Sequence, residues 1–282
     1  MRVLVTGAEG FVGREACRLA GEHHRVMACG RPRLDIQDPR AVDRVFEQFR
    51  PRLVLHCAAY TDVDGAEGRL ASAMAVNAQG TANVARSAAR VQARMLYLST
   101  DYVFDGAAQR PYVEDDDVAP LSDYARSKLE GERLVGETCP RYAIVRTGWL
   151  YGSGKGFVDW VVGRLAGTDT VELVEDQWGS PTWVTHLAQA MVLAGELELQ
   201  GLFHVVNKGI ASWYEIGRRI AQRSGGADAV ERLRPISHAA LGRPAARPRF
   251  SPLDVGRFEG ASGVRLATWE EALDEYLRAR RE

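Results

Sequence analysis

Residues 2–13 read Arg-Val-Leu-Val-Thr-Gly-Ala-Glu-Gly-Phe-Val-Gly, an apolar run followed by three evenly spaced glycines, Gly7, Gly10 and Gly13. The run predicts a buried strand, and the glycines predict a turn that leads into a helix near Phe11. Glycines allow a sharp turn and a close approach to a pyrophosphate, whose negative charge a helix N-terminus favours. The spacing departs from the principal G-x-G-x-x-G fingerprint, and close packing of strand on helix would also explain the glycines. Because the turn lies between strand and helix, we interpret it as a dinucleotide site.

Four more apolar runs follow in the first half of the chain, at residues 25–29, 53–57, 95–99 and 142–146. They are continuous and do not alternate with polar residues, which is typical of strands covered on both faces. Amphipathic helices are expected between them, one of which begins with Asp38 as N-cap and Pro39 as its first residue. The strand–helix–strand order predicts an α/β fold, a Rossmann-type doubly wound parallel sheet.

The second half of the chain is less regular, and residues 225–265 are rich in Gly, Pro and Arg. We therefore expect a dinucleotide-binding domain over residues 1–148 and a smaller mixed α/β part over 149–282, mainly for substrate. A segment near 183–206 is expected to pack back on the first domain.

Composition narrows the class of protein. The 282 residues include 36 Lys+Arg and 37 Asp+Glu, a net charge of −1, which argues against a general nucleic-acid binder. No apolar run approaches the ~20 residues of a membrane-spanning helix, and the first residues do not resemble a signal peptide. The four cysteines (Cys17, Cys29, Cys57 and Cys139) form no C-x-x-C pair, so neither a disulfide framework nor a metal site is expected. We expect a soluble, reduced, cytoplasmic protein.

The end of the second predicted strand bears on the choice of cofactor. An acidic residue there would bind the adenosine ribose and favour NAD, but the chain reads Cys29-Gly-Arg31. Arg31 and Arg33 suit a 2′-phosphate, although both could be ordinary solvated charges. Asp35 and Ile36 are the other residues expected near the adenine. We favour NADP and leave NAD open.

Tyr124 and Lys128 lie four residues apart, about one helical turn, and so share a helix face. A free Tyr titrates near ~10, and a neighbouring ammonium with an oxidised nicotinamide would favour the phenolate. A lowering by ~3 units, worth about 4 kcal/mol, would suit a proton donor to a forming alkoxide. Such a pair also occurs by accident on helix surfaces. Thr100, at the end of the fourth strand, shifts the balance because ligands bind at that sheet edge and a hydroxyl there can hold a carbonyl.

Together these residues resemble the extended short-chain dehydrogenase/reductase superfamily. The matching elements are Gly7 to Gly13, Ala58-Ala59, Ser99-Thr100 and the Tyr124/Lys128 pair. Longer stretches resemble the dTDP-4-dehydrorhamnose reductase family from end to end of the chain: STDYVFDG (99–106), RTGWLYG (146–152), DQWGSPT (176–182), SWYEI (212–216), RPRFSPLD (247–254) and WEEAL (269–273).

The resemblance implies an enzyme that reduces a 4-keto nucleotide sugar, dTDP-4-dehydro-L-rhamnose or a related dTDP-4-keto-deoxysugar, with NADPH as hydride donor. It implies that Tyr124 protonates the forming alkoxide, Lys128 tunes it and binds the nicotinamide ribose, and Thr100 holds the keto oxygen. The positions that it assigns to the sugar pocket are Val63, Thr100, Asp101, Tyr102 and Trp149. The expected cofactor site comprises Gly7, Gly10, Phe11, Val12, Gly13, Arg31, Asp35, Ile36, Ala58, Ala59, Tyr60, Thr61, Tyr124 and Lys128. Trp149 is equally well explained as a core residue between the two parts.

Two positions bear on how closely the chain follows the family pattern. Gly148 stands where the family often has Ser. Glu15 falls on a position where some members bridge a dimer through magnesium, but the region around His186 offers no convincing partner. A homodimer therefore stays open, and no metal is expected.

Two alternative functions are compatible with a fold of this kind. A 4,6-dehydratase or 4-epimerase of the same fold would recycle tightly bound NAD. Dehydratases carry Thr-Asp-Glu, whereas this chain has Tyr102 in the third place. The regulatory β subunit of methionine adenosyltransferase is similar to the family and acts by binding a partner. The intact Thr100, Tyr124 and Lys128 set favours the reductase.

Overall fold

The computed structural model describes residues 1–152, 154, 156–224 and 226–280 of the chain. Its strands are β1 (Arg2–Thr6), β2 (Arg25–Cys29), β3 (Leu53–His56), β4 (Arg94–Thr100), β5 (Tyr142–Thr147), β6 (Leu150–Tyr151), β7 (Val171–Val174), β8 (Trp178–Gly179), β9 (Thr182–Trp183), β10 (Gly201–His204), β11 (Ala211–Ser212) and β12 (Leu233–Ile236). Its α-helices are α1 (Phe11–Gly21), α2 (Pro39–Phe49), α3 (Val63–Ala66), α4 (Leu70–Met74), α5 (Thr81–Arg90), α6 (Asp123–Thr138), α7 (Phe157–Leu165), α8 (Val184–Glu196), α9 (Trp213–Ser224), α10 (Gly226–Glu231), α11 (Gly256–Ser262) and α12 (Trp269–Ala279). A π-helical segment, Ala75–Gly80, joins α4 to α5, and short 3-10 turns cover Asp101–Val103 and His238–Leu241.

A parallel sheet of six strands forms the centre of the molecule, in the order β10-β5-β4-β3-β1-β2. The prediction of a Rossmann-type α/β fold is confirmed. Because all six strands run the same way, the carboxyl ends of β1, β3, β4 and β5 share one edge, where open sheets of this kind bind ligands. The last strand, β10, comes from the second half of the chain and pairs with β5, Phe203 lying opposite Val145.

Both faces of this sheet are covered, which explains the continuous apolar runs. Val3 and Val5 of β1 point to one face and pack with α1 and α8. Leu4 between them points to the other face and packs with α2 and α5. Residues 3–6 of β1 and all four residues of β3 are therefore buried, with alternate residues facing one layer of helices or the other.

Local signals in the sequence place several helix ends. Asp38 accepts from the Arg40 backbone N–H at 2.9 Å, so it is the N-cap of α2 and Pro39 is its first residue, as predicted. Gly10 precedes α1 with extended backbone and makes no side-chain cap, so the first turn presents its backbone N–H groups.

The second half forms its own apolar cluster from α7, α9, α12 and their neighbouring short strands. Thr268 and Glu271 make a reciprocal capping box that starts α12. Within 225–265, which sequence patterning leaves without regular structure, β12 pairs in parallel with β7. No helix in the described part of the chain is long and apolar enough to cross a membrane.

Candidate active site

A cleft of about 630 Å³ opens at the carboxyl edge of the sheet. Its wall comprises the glycine turn after β1, the segment after β3, the end of β4, the first turns of α6 and the end of β5. All residues that the sequence assigned to the cofactor or substrate line it: Gly7, Gly10, Phe11, Val12, Gly13, Arg31, Asp35, Ile36, Ala58, Ala59, Tyr60, Thr61, Val63, Thr100, Asp101, Tyr102, Tyr124, Lys128 and Trp149.

The glycine turn needs glycine for two separate reasons. Gly7 has φ +64°, and a Cβ there would lie 2.6 Å from the Ala58 backbone nitrogen. A Cβ on Gly13 would overlap the carbonyl oxygen of Gly7. The backbone therefore lies flat against α1, a cradle in which a phosphate group can approach the helix N-terminus.

The far end of the cleft contains the residues that the sequence placed near the adenosine. Arg31 lines the cleft there and is exposed. Arg33 instead turns back, and its Nη1 donates to the carbonyl oxygen of Ala28 at 3.3 Å. The carboxylate of Asp35 accepts from the Gln37 backbone N–H at 2.9 Å and holds the turn. Of the two arginines, Arg31 thus lines the cleft and Arg33 does not.

Tyr124 and Lys128 project from α6 into the same cleft. Ser122 caps this helix by accepting from the Ala125 N–H at 3.2 Å, so the Tyr lies in the first turn. The Tyr124 ring meets Tyr102 edge to face, with centroids 6.5 Å apart. Lys128 is only 3% exposed. Its Nζ donates to the Leu98 carbonyl oxygen at 2.6 Å.

The electrostatics of this pair differ from the expectation that the cation makes the phenol acidic. Burial raises the pKa of Tyr124 above its usual range; the nearby hydroxyl of Thr100 lowers it, and the carboxylate of Asp101 raises it further. Burial lowers the pKa of Lys128 to about 7, although Glu132 opposes this. The expectation was wrong for this state of the protein because burial disfavours both charged forms. The raised pKa of Tyr124 corresponds to a neutral phenol at neutral pH.

Thr100 is positioned by its neighbours at the end of β4. Its Oγ1 accepts from the Tyr102 backbone N–H at 3.3 Å and donates to Asp101 Oδ1 at 3.2 Å. Asp101 is 2% exposed, and burial raises its pKa to about 7. The hydroxyl of Thr100 therefore caps the turn and also faces the cleft.

Two buried side chains that sequence patterning did not single out support this site. Asn77, in the π-helical segment, accepts from the Tyr60 N–H at 2.7 Å and donates to Ser127 Oγ at 2.9 Å, which ties the cofactor-side loop to α6. Glu132 accepts from Arg146 through two bonds, of 2.7 and 3.0 Å. Glu132 follows Lys128 by one helical turn, a spacing that could have indicated it. No motif or spacing in the nearby sequence indicates that Asn77 supports the site.

Trp149 is both a core residue and part of the cleft wall. It has φ +51°, and its ring stacks on Trp213 with centroids 3.8 Å apart. A Cβ on Gly179 would overlap the indole, so the ring is fixed from behind. A rigid aromatic surface thus faces the cleft from the second half of the chain.

A second cavity of about 710 Å³ adjoins the cleft, and Tyr102 and Trp213 line both. Its wall combines aromatic rings and basic groups: Phe157, Trp160, His238, Arg243 and Arg247. Arg247 also forms a bidentate ion pair with Asp64 on α3, with both N–O distances 2.9 Å. One sequence motif marks this region, the RPRFSPLD stretch that begins at Arg247.

Glu15, the position considered for a shared magnesium, has its carboxylate engaged within the chain. It accepts from Arg18 at 2.7 Å and from Thr185 at 2.9 Å. Among the described residues, no group of three or more His, Cys, Asp or Glu side chains comes together as metal ligands.

Comparison with known proteins agrees with this geometry. A family model described as the RmlD substrate binding domain matches residues 1–281. The dTDP-4-dehydrorhamnose reductase of Mycobacterium tuberculosis is 41% identical over 286 aligned residues, covering 99% of this chain and 93% of that protein. A crystal structure of such a reductase from Clostridium acetobutylicum has a TM-score of 0.95 at 36% identity and covers 100% of both chains. One from Bacillus anthracis, in complex with NADP, has a TM-score of 0.93 at 34% identity and covers 99% of each chain. The resemblance of the motifs is thereby confirmed, and the chain belongs to the family of dTDP-4-dehydrorhamnose reductases.

Proposed function

We propose that this protein reduces the 4-keto group of a dTDP-sugar, dTDP-4-dehydro-L-rhamnose or a related dTDP-4-keto-deoxysugar, to the 4-hydroxy sugar. The observation that carries the proposal is the convergence of Thr100, Tyr124 and Lys128 in one cleft beneath the glycine turn. Family membership supports the reaction and the class of substrate.

NADPH is the proposed cofactor, with NADH as the alternative. When bound, it supplies the hydride. The glycine turn suits a pyrophosphate because Gly7 and Gly13, where a Cβ would overlap backbone atoms, let the turn pack tightly at the N-terminus of α1. Arg31 would meet the 2′-phosphate, and the relative from Bacillus anthracis binds NADP. Tyr60 and Thr61, after β3, would contact the cofactor between these two points.

Tyr124 is the proposed proton donor. The hydride adds to the carbonyl carbon, the C=O π bond breaks, and Tyr124 Oη donates its proton to the oxygen. The raised pKa of Tyr124 keeps that proton in place until the oxygen becomes basic. Thr100 orients the same oxygen by a hydrogen bond, and Lys128 binds the nicotinamide ribose and stabilises the phenolate that remains.

The second cavity is the proposed site of the nucleotide half of the substrate. Arg243 and Arg247 would pair with its phosphates, and Trp160 and Phe157 offer flat apolar surfaces for the base. Tyr102, which lines both cavities, lies where the sugar would join the diphosphate.

The test is the oxidation of NADPH or NADH with dTDP-4-dehydro-L-rhamnose, followed by absorbance. Tyr124→Phe should bind NADPH as the wild type does, measured by fluorescence titration, and lose turnover by orders of magnitude. Tyr142→Phe, at the amino end of β5 and away from the cleft, is the control and should keep its rate. Retention of most of the rate by Tyr124→Phe would contradict the assigned role.

The same assay separates the alternatives. An epimerase would convert substrate without net consumption of NADPH. A regulatory subunit of the methionine adenosyltransferase β type would oxidise no NADPH with any 4-keto sugar nucleotide and would form a stable hetero-complex.

A further inference from the structure

The RPRFSPLD stretch brings a second side chain to the site besides Arg247. Its strand-like part runs beside β8, where the Trp178 N–H donates to the Arg249 carbonyl at 2.8 Å and the Ser251 N–H donates back to the Trp178 carbonyl at 2.9 Å. This pairing directs Ser251 towards the end of β4, where its Oγ donates to Asp101 Oδ2 at 2.6 Å. Ser251 is 1% exposed, so the bond is fully removed from solvent.

The carboxylate of Asp101 is fixed from three sides. Ser251 donates to one oxygen and Thr100 donates to the other, at 3.2 Å. On the third side lies Gly148, where a Cβ would stand 2.5–2.7 Å from the carboxylate atoms. The departure from the family pattern at Gly148 therefore has a physical meaning in this chain, because any side chain there would displace the carboxylate.

Thr100 has one hydroxyl proton, and two acceptors compete for it. In the structure it is given to Asp101, but orienting a keto oxygen requires it to turn away. A buried carboxylate that loses its donor is strongly destabilised. The shorter bond from Ser251 keeps Asp101 paired while Thr100 turns, so the exchange of partners costs less.

We propose that Ser251 is a positioning residue of the reductase reaction, acting through Asp101 to release the Thr100 hydroxyl to the substrate carbonyl. The inference rests on the proposed function. It assigns to the second half of the chain a part in the chemical step itself, beyond its part in substrate binding.

The experiment measures kcat, KM and the dissociation constant of NADPH for Ser251→Ala. Because the exchange occurs as the carbonyl is engaged, kcat should fall about tenfold to a hundredfold, the range for a hydrogen bond to a charged group. The dissociation constant of NADPH should stay within twofold, roughly, since Ser251 does not line the cleft with the glycine turn. Ser180→Ala is the matched control: Ser180 Oγ accepts from the Leu253 N–H of the same stretch at 3.3 Å and does not contact Asp101. It should keep the wild-type kcat.

A double-mutant cycle with Asp101→Asn distinguishes positioning from a structural role. In the Asn background the competing charge is gone, so the further change Ser251→Ala should lower kcat by less than about twofold. If the two losses multiply, or if Ser251→Ala and Ser180→Ala lower kcat alike, the inference is wrong. Should Ser251→Ala not fold, as judged by thermal unfolding, Ser251→Cys keeps the size with a weaker donor and should show a smaller loss of kcat in the same direction. A wild-type protein that oxidises neither NADPH nor NADH would overturn both proposals, whereas an active wild type with an equally active Ser251→Ala would overturn this one alone.

Discussion

Replacing Lys128 by Met should make the cofactor-free protein more stable at neutral pH. Lys128 is 3% exposed, and its pKa falls from 10.5 to about 7. At about 1.4 kcal/mol per tenfold, holding the ammonium inside costs about 4–5 kcal/mol at pH 7. Met has a similar length and no charge, but its substitution removes the hydrogen bond to the Leu98 carbonyl, worth about 1–3 kcal/mol. The net gain in the free energy of unfolding should be about 1–4 kcal/mol at pH 7.

The sign of the pH dependence provides the sharper test. Between pH 7 and 10.5 the unfolded chain binds more protons at this lysine than the folded one, so its cost declines as pH rises. At pH 9 the cost is about 2 kcal/mol, so the advantage of Lys128→Met should shrink by about 2 kcal/mol, or roughly 4–8 °C in Tm. Thermal unfolding of the wild type and of Lys128→Met at pH 7 and pH 9 measures this difference. The titration of all other groups contributes equally to both proteins and therefore drops out of the comparison. Lys208→Met, where the ammonium lies 3.1 Å from Glu259, controls for the loss of a lysine. An advantage that is the same at both pH values would refute the reasoning.

Two further outcomes are expected. Gly13→Ala should weaken NADPH binding at least about tenfold in a fluorescence titration, because its Cβ would overlap the Gly7 carbonyl. Gly163→Ala, where the new methyl would meet nothing outside its own helix within 4 Å, should leave binding unchanged. Glu132→Gln should lower the free energy of unfolding by about 3–5 kcal/mol, because it leaves the guanidinium of Arg146 buried without a partner of opposite charge. Denaturant unfolding measures this loss. A loss below about 1 kcal/mol would show that the ion pair is not buried in solution.

The sheet could be predicted from sequence because its signal is local. Each strand of the first half is a continuous apolar run, and the glycine turn and the Asp38 cap are read within a few residues. The Tyr124 and Lys128 pair also follows from helical spacing. Their protonation did not follow, because the direction of both pKa values is set by how deeply α6 is packed, which depends on residues far away in the chain.

Contacts between the two halves of the chain could not be predicted from the sequence for a similar reason. The bond from Ser251 to Asp101 spans 150 positions. Nothing near either residue indicates it. β12 was missed because its four residues include an Arg and a Pro, and it forms only by pairing with β7. Such features arise from tertiary contacts. The RPRFSPLD motif contains Ser251, but the motif does not indicate that this side chain binds Asp101.

The strand β10 has a consequence for how the molecule can be taken apart. The polypeptide leaves the sheet after β5, forms β6 to β9 and α7, and then returns to add α8 and the edge strand before leaving again. A fragment cut at residue 148 would expose the flank of β5 and uncover Val3, Val5 and Leu55. Exchange of the elements outside the sheet layer with those of a relative therefore requires at least three junctions, and a single crossover would yield a chain that aggregates.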